Sequence, residues 1–246
     1  MKVEDLEKTV SRLNSIALRY LLAFENNRKN SLVVSGFPKS GTTWATQVLS
    51  KALNFNYRQN KVRFAFEKIA LHTHSINFYG RQNIVYVVRD PREIVCSAFR
   101  ACSSFRTCST SEIYLNEFGL KIDKDFCEYV LKHFPGSRAS WDVHVTHALQ
   151  QGWSILFFED LKSNPIEALG KLENISHQEK LLRANIVSDA LHQFSYSSME
   201  AKSSHSNFLN GSNIDSWKTL LTKDAQQYIS REFGNVAKSL GKYELW

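Results

Sequence analysis

Leu32-Val33-Val34-Ser35-Gly36-Phe37-Pro38-Lys39-Ser40-Gly41-Thr42-Thr43-Trp44 decides how this chain is read. A β-branched run ends in a turn carrying glycine and proline, and small hydroxylated residues then open a helix. A strand–loop–helix junction of this kind aims several backbone N–H groups and a helix N-terminus at one point, where an anion is favoured. Lys39 adds a full positive charge, and the hydroxyls of Ser40, Thr42 and Thr43 add donors. The loop reads as a phosphate cradle. It is not the kinase-type P-loop, which closes on Gly-Lys-Ser/Thr; here Gly41 is followed by Thr42, and the lysine stands before the glycine.

A second junction lies downstream. Ile84-Val85-Tyr86-Val87-Val88 is an unbroken apolar run of β-formers, which predicts a strand buried on both faces of a parallel sheet. Arg89-Asp90-Pro91 ends it, and Pro91 suits the first turn of a helix whose apolar face is Ile94, Val95, Ala98 and Phe99. Arg89 is thereby expected at the carboxyl end of a central strand, where open α/β sheets hold ligands. Ser97 follows about two helical turns later, on the side able to face the same ligand.

Pro38-Lys39-Ser40-Gly41-Thr42-Thr43-Trp44 resembles the phosphosulfate loop of the cytosolic-type sulfotransferases, which use 3′-phosphoadenosine-5′-phosphosulfate (PAPS). Arg89 and Ser97 resemble the pair by which that family binds the 3′-phosphate. Trp141-Asp142-Val143-His144-Val145 is similar to its Trp-x-x-His-Val helix, which flanks the acceptor pocket. The stretch from Ile155 through Phe157-Phe158-Glu159-Asp160 to Asn164-Pro165 is similar to its strand-to-helix segment, and Ser216-Trp217-Lys218 to the end of its Gly-rich lid. The resemblance runs from Ser31 to the C-terminus. It implies a P-loop-like α/β fold with a central parallel sheet flanked by helices, as a single domain over residues 1–246. It further implies contacts to PAPS, or to its product PAP, from Lys39, Ser40, Gly41, Thr42, Thr43, Trp44, Arg89, Ser97 and the lid residues Asn210 and Gly211. His144 and Phe158 are implied on the side of a small-molecule acceptor.

Moving a sulfuryl group requires that the acceptor oxygen lose a proton and that charge on the leaving phosphate be stabilised. The sulfuryl group carries less negative charge than a phosphoryl group, so the chemistry calls for no metal. A neutral histidine suits the base, with an ordinary pKa near ~6.5. His72-Thr73-His74 follows apolar Ile69-Ala70-Leu71 and aligns with the family's Lys-Thr-His, which implies His74 as the base and Lys39 as the cation at the bridging oxygen.

Several positions depart from the family pattern. His72 replaces the motif lysine, and Phe158 stands where animal enzymes often carry tyrosine. Phe208-Leu209-Asn210-Gly211 lacks the usual Arg-Lys pair before glycine, which leaves Arg100, Arg106 or Lys202 as replacement cations. The segment between Lys39 and His74 is also shorter than in animal enzymes. Lys218-Thr219-Leu220-Leu221-Thr222 begins like the family's dimer motif, but Lys223 and Gln227 break it, so the oligomeric state stays open. Two alternatives to an active enzyme follow: a catalytically weak relative that binds PAP or PAPS in a regulatory role, and a P-loop kinase, disfavoured by the missing Gly-Lys-Ser/Thr.

Composition narrows the partners. The 246 residues are 43% hydrophobic and 22% charged, as expected of one globular domain. No apolar run approaches the ~20 residues that cross a membrane, and the N-terminus lacks the apolar core of a signal peptide, so a cytoplasmic protein is expected. Cys96, Cys102, Cys108 and Cys127 have no metal-site spacing and read as reduced thiols. The net charge of +7 suits an anionic partner. The basic residues are dispersed and no nucleic-acid-binding motif is present, so a small polyanion accounts for the charge better than nucleic acid.

Patterning predicts an amphipathic helix over residues 4–26 packing on the core, helices over 42–53, 91–101, 123–133, 138–151, 165–173 and 185–193, and strands over 68–73, 84–88 and 153–158. Residues 195–213 read as a long functional loop. Thr222 is placed to cap a last helix ending at Leu240-Gly241. An acceptor pocket is expected from Phe64, Phe66, Phe105, Tyr114 and His144.

Overall fold

β1 (Ser31–Gly36) is the central strand of a five-stranded, wholly parallel sheet. β3 (Ile69–Thr73) lies on one side of it and β4 (Ile84–Val88) on the other. β2 (Asn56–Tyr57) flanks β3 and β5 (Ser154–Phe157) flanks β4, giving the order β2-β3-β1-β4-β5. The computed structural model describes residues 31–57, 69–76, 83–105, 121–135, 137–172, 184–194 and 216–243. The expected N-terminal helix, the lid with Asn210 and Gly211, and Phe64, Phe66, Arg106, Tyr114 and Lys202 lie outside them.

The chain leaves β1 through α1 (Thr42–Leu53) toward the β2–β3 side, and β4, the strand that follows β3, lies on the other side of β1. Connections therefore diverge on either side of β1, and the crevice at the carboxyl ends of β3, β1 and β4 is the ligand position of such a sheet. Past β4 come α2 (Pro91–Phe105), α3 (Lys124–His133) and α4 (Trp141–Gln150), and past β5 come α5 (Phe158–Ser163), α6 (Pro165–Gly170), α7 (Ala184–Gln193), α8 (Trp217–Leu220) and α9 (Lys223–Ser239).

Alternate strand residues feed two cores. Leu32, Val34, Val85, Val87 and Leu156 pack against α1, α5, α6 and α7, while Val33, Ile84, Tyr86 and Val88 pack against α2, α3, α4 and α9. Burial on both faces is why β4 is a continuous apolar run and β1 carries Leu32-Val33-Val34 at its centre. The helix ends follow their local signals. Asn54 turns left-handed to close α1, Asp123 caps α3 through the Phe126 N–H, and Thr222 caps α9 through the Ala225 N–H.

Boundaries differ where pairing, rather than propensity, decides. The strand expected over 153–158 ends at Phe157, because its partner β4 ends at Val88, which pairs with Phe157; Phe158 instead starts a helix. The helix expected from 138 starts at Trp141, since Ser140 is extended. α2 continues to Phe105, past the expected 101. β2, α5 and α8 are short elements with no periodicity to reveal them.

Candidate active site

Gly36 ends β1 where a side chain has no room: a Cβ there would lie 2.6 Å from both the Val87 carbonyl and the Thr42 methyl. The loop then tightens. The Ser40 N–H donates to the Phe37 carbonyl at 3.1 Å, and Lys39 and Gly41 both adopt left-handed backbone, with φ of 70° and 81°. Gly41 is the N-cap of α1 and offers no capping side chain, so the first-turn N–H groups are left for another acceptor. Ser40 Oγ is buried without a hydrogen-bond partner. A glycine-capped helix start beside an orphaned buried hydroxyl fits a phosphate or sulfate group.

Phe158 packs against the loop at Gly41. Its ring lies 4.5 Å below the Arg89 guanidinium and edge-on to Trp44 at 5.7 Å, while the Trp44 indole N–H donates to the Phe194 carbonyl at 3.0 Å. Phe158, expected on the acceptor side, is thus part of the floor under the phosphate loop.

β3 brings two histidines to the crevice. His72 Nε2 lies 2.8 Å from Thr42 Oγ1, and burial together with the neighbouring His74 pulls its pKa down to about 4. The position that is lysine in the family motif therefore holds a neutral ring bonded to the loop. His74 Nδ1 lies 2.8 Å from the Gly36 carbonyl. A carbonyl only accepts, so Nδ1 carries the hydrogen and Nε2 keeps its lone pair. Burial pushes the His74 pKa below the ordinary imidazole value, and the Lys39 ammonium adds to this against the opposing pull of the Gly36 bond. The Ser35 hydroxyl donates to the Ser75 carbonyl at 2.7 Å and pins the segment after β3 to β1.

His144, expected to contact the acceptor, is 1% exposed, and both its ring nitrogens are engaged within the protein, with Tyr86 and with the His74 carbonyl.

Arg89 sits at the end of β4 as expected, but buried, and its Nη1 donates to the Lys39 carbonyl at 3.1 Å. It props the phosphate loop from beneath, while its Nε is buried without a partner. Burial lowers its pKa, opposed chiefly by Glu93. Glu93 lies four residues from both Arg89 and Ser97 and so occupies the same helical stripe between them. Its carboxylate is 3.7 Å from Arg89 and 3.8 Å from Arg100, and it accepts from Ser216 Oγ at 3.0 Å and from the Trp217 N–H at 3.3 Å. Ser97 is half-buried beside this cluster. The sequence reading missed Glu93 and Tyr86; the spacing of Glu93 from Arg89 and Ser97 was the available signal.

The sulfotransferase domain family matches residues 70–241, well over half of the chain, and the chain belongs to that family. The matched span begins after the phosphate loop, whose assignment rests on residues 36–44 themselves. Two of the solved structures that share the fold hold PAP. A mouse sulfotransferase, SULT7A1, complexed with PAP, is 15% identical, with 87% of this chain and 85% of that one covered at a TM-score of 0.60. Retinol dehydratase in complex with androsterone and the inactive cofactor PAP is 12% identical, with 85% and 81% covered at a TM-score of 0.55. No curated protein sequence matches the chain. The expected α/β fold with a central parallel sheet is that of this family. No described helix is long and apolar enough to cross a membrane.

Proposed function

We propose that the protein transfers the sulfuryl group of PAPS to a hydroxyl or amine of a small acceptor and releases PAP. The loop N–H groups, Ser40, Thr42 and Thr43 hold the phosphosulfate, and Arg89 with Ser97 addresses the 3′-phosphate. His74 Nε2 takes the acceptor's proton as the acceptor atom bonds to sulfur. Lys39 offsets charge on the bridging oxygen as its bond to sulfur breaks and it departs with PAP. The observation that carries the reading is the His74 Nδ1 bond to Gly36, which leaves Nε2 as an acceptor in a neutral ring beside Lys39 and the loop. Both PAP-bound structures named above share this fold, which supports PAPS as the donor.

A second reading, a PAP-binding relative with little transfer, is favoured by His72, whose neutral ring leaves the sulfonyl side without the motif lysine's charge. PAP formation from PAPS across a panel of phenols, alcohols and amines separates the two. Transfer to one acceptor class is expected, with His74→Ala slower by ~10²–10⁴-fold and Lys39→Ala losing most turnover. Tight PAP binding with no transfer would select the second reading, and near-parental turnover in His74→Ala would remove His74 as the base.

A further inference from the structure

Behind His74 runs a buried circuit of hydrogen-bonding groups. The Gly36 carbonyl accepts from His74 Nδ1 at 2.8 Å, and the N–H of the same peptide unit, that of Phe37, is directed at the Tyr86 hydroxyl. Tyr86 Oη lies 2.9 Å from His144 Nδ1, and His144 Nε2 lies 3.0 Å from the His74 carbonyl. That carbonyl only accepts, so His144 carries its hydrogen on Nε2. Burial keeps the ring neutral, with its pKa pulled down to about 4, so Nδ1 is a lone pair and Tyr86 must donate to it. The remaining lone pairs of the tyrosine oxygen then face the Phe37 N–H. One proton pattern satisfies all three bonds, with Tyr86 and His144 at 0% and 1% exposure.

We propose that Tyr86 and His144 are positioning residues for the base: they fix His74 as the Nδ1–H tautomer and tie that tautomer to the first peptide of the phosphate loop. This rests on the reading of His74 as the base. The Nε2–H tautomer would set a ring lone pair against the Gly36 carbonyl and would carry a proton where the base must accept one. Rotating the Gly36–Phe37 peptide to relieve that repulsion would turn the Phe37 N–H away from the Tyr86 hydroxyl. A buried network with every member satisfied resists both changes. The loop that seats the donor and the ring that receives the proton therefore share one peptide.

The test pairs a spectrum with kinetics. Long-range ¹H–¹⁵N spectra of histidine-labelled protein assign the tautomer of each ring directly. The parent should show His74 protonated on Nδ1 and His144 on Nε2, both neutral at pH 7. Tyr86→Phe keeps the ring and removes only the hydroxyl. It should give mixed tautomers at His74 and a kcat lower by about tenfold, the effect of one lost buried hydrogen bond, with PAP affinity within about twofold of the parent. His144→Gln, which retains an N–H for the His74 carbonyl, should keep more activity than His144→Leu. Should Tyr86→Phe not fold, the parental spectrum and the His144 pair decide alone. A parental His74 protonated on Nε2, or a Tyr86→Phe protein with unchanged tautomers and kcat, overturns the proposal. Near-parental turnover in His74→Ala, with the spectrum as expected, would instead bring down the base assignment itself and leave the circuit a structural one.

Discussion

Gly41→Ala probes the phosphate loop at its tightest point. The backbone there is left-handed, at φ 81° and ψ 19°, which costs a residue with a Cβ about 1–2 kcal/mol. The added methyl would also run into the Phe158 ring. That ring has little room to yield, with the Arg89 guanidinium at 4.5 Å and Trp44 at 5.7 Å. Overpacking of this kind costs about 1–3 kcal/mol, so the total is about 2–5 kcal/mol. At about 2–4 °C per kcal/mol for a chain of this size, the melting temperature should fall by about 4–20 °C in a calorimetric or fluorescence scan. In a Phe158→Ala background the collision is gone, and Gly41→Ala should then cost only the backbone strain, about 1–2 kcal/mol. An equal loss in both backgrounds would refute the contact between Gly41 and Phe158. No loss in either would refute the loop conformation itself.

Arg89→Ala should weaken PAP binding at least about tenfold, because it removes both the expected 3′-phosphate cation and the donor to the Lys39 carbonyl; calorimetry showing unchanged affinity would contradict both roles. Stability should fall on acidification. His72 and His144 are held down to about 4 by burial, against ~6.5 in the unfolded chain, so the unfolded chain binds more protons between these values. The stability they contribute is present above the unfolded value and is lost as the pH drops toward the folded one. The urea midpoint should be lower at pH 5 than at pH 7, and equal midpoints would contradict the neutral burial of these rings.

The phosphate loop and the β4–α2 junction were legible because their signals are local. An apolar run buried on both faces, a glycine where the chain must turn left-handed and a proline at a helix start are all written in consecutive residues. The positions of Lys39 and Arg89 at the strand ends follow from those junctions, and that of His74 from the apolar Ile69-Ala70-Leu71 before it. What the side chains do there depends on register instead. The pairing of Ser35 with Thr73 sets His74 against Gly36, and the pairing of Gly36 with Val87 brings Tyr86 beneath the loop. Tyr86 looked like one more β-former, and only the packing of α4 onto that face turns its hydroxyl into a partner for His144. Glu93 was hidden for a similar reason, since two of its partners, Ser216 and Trp217, arrive from more than a hundred residues away.

Calorimetric titration of the purified protein with PAP, against 5′-AMP and ATP·Mg²⁺, tests the central claim most directly. Micromolar binding of PAP, at least about tenfold tighter than of 5′-AMP, is the result expected if the loop and Arg89 form a site for a nucleotide with a 3′-phosphate. No binding of PAP, or equal affinity for PAP and 5′-AMP, would contradict that site, and the active-enzyme reading would fall with it.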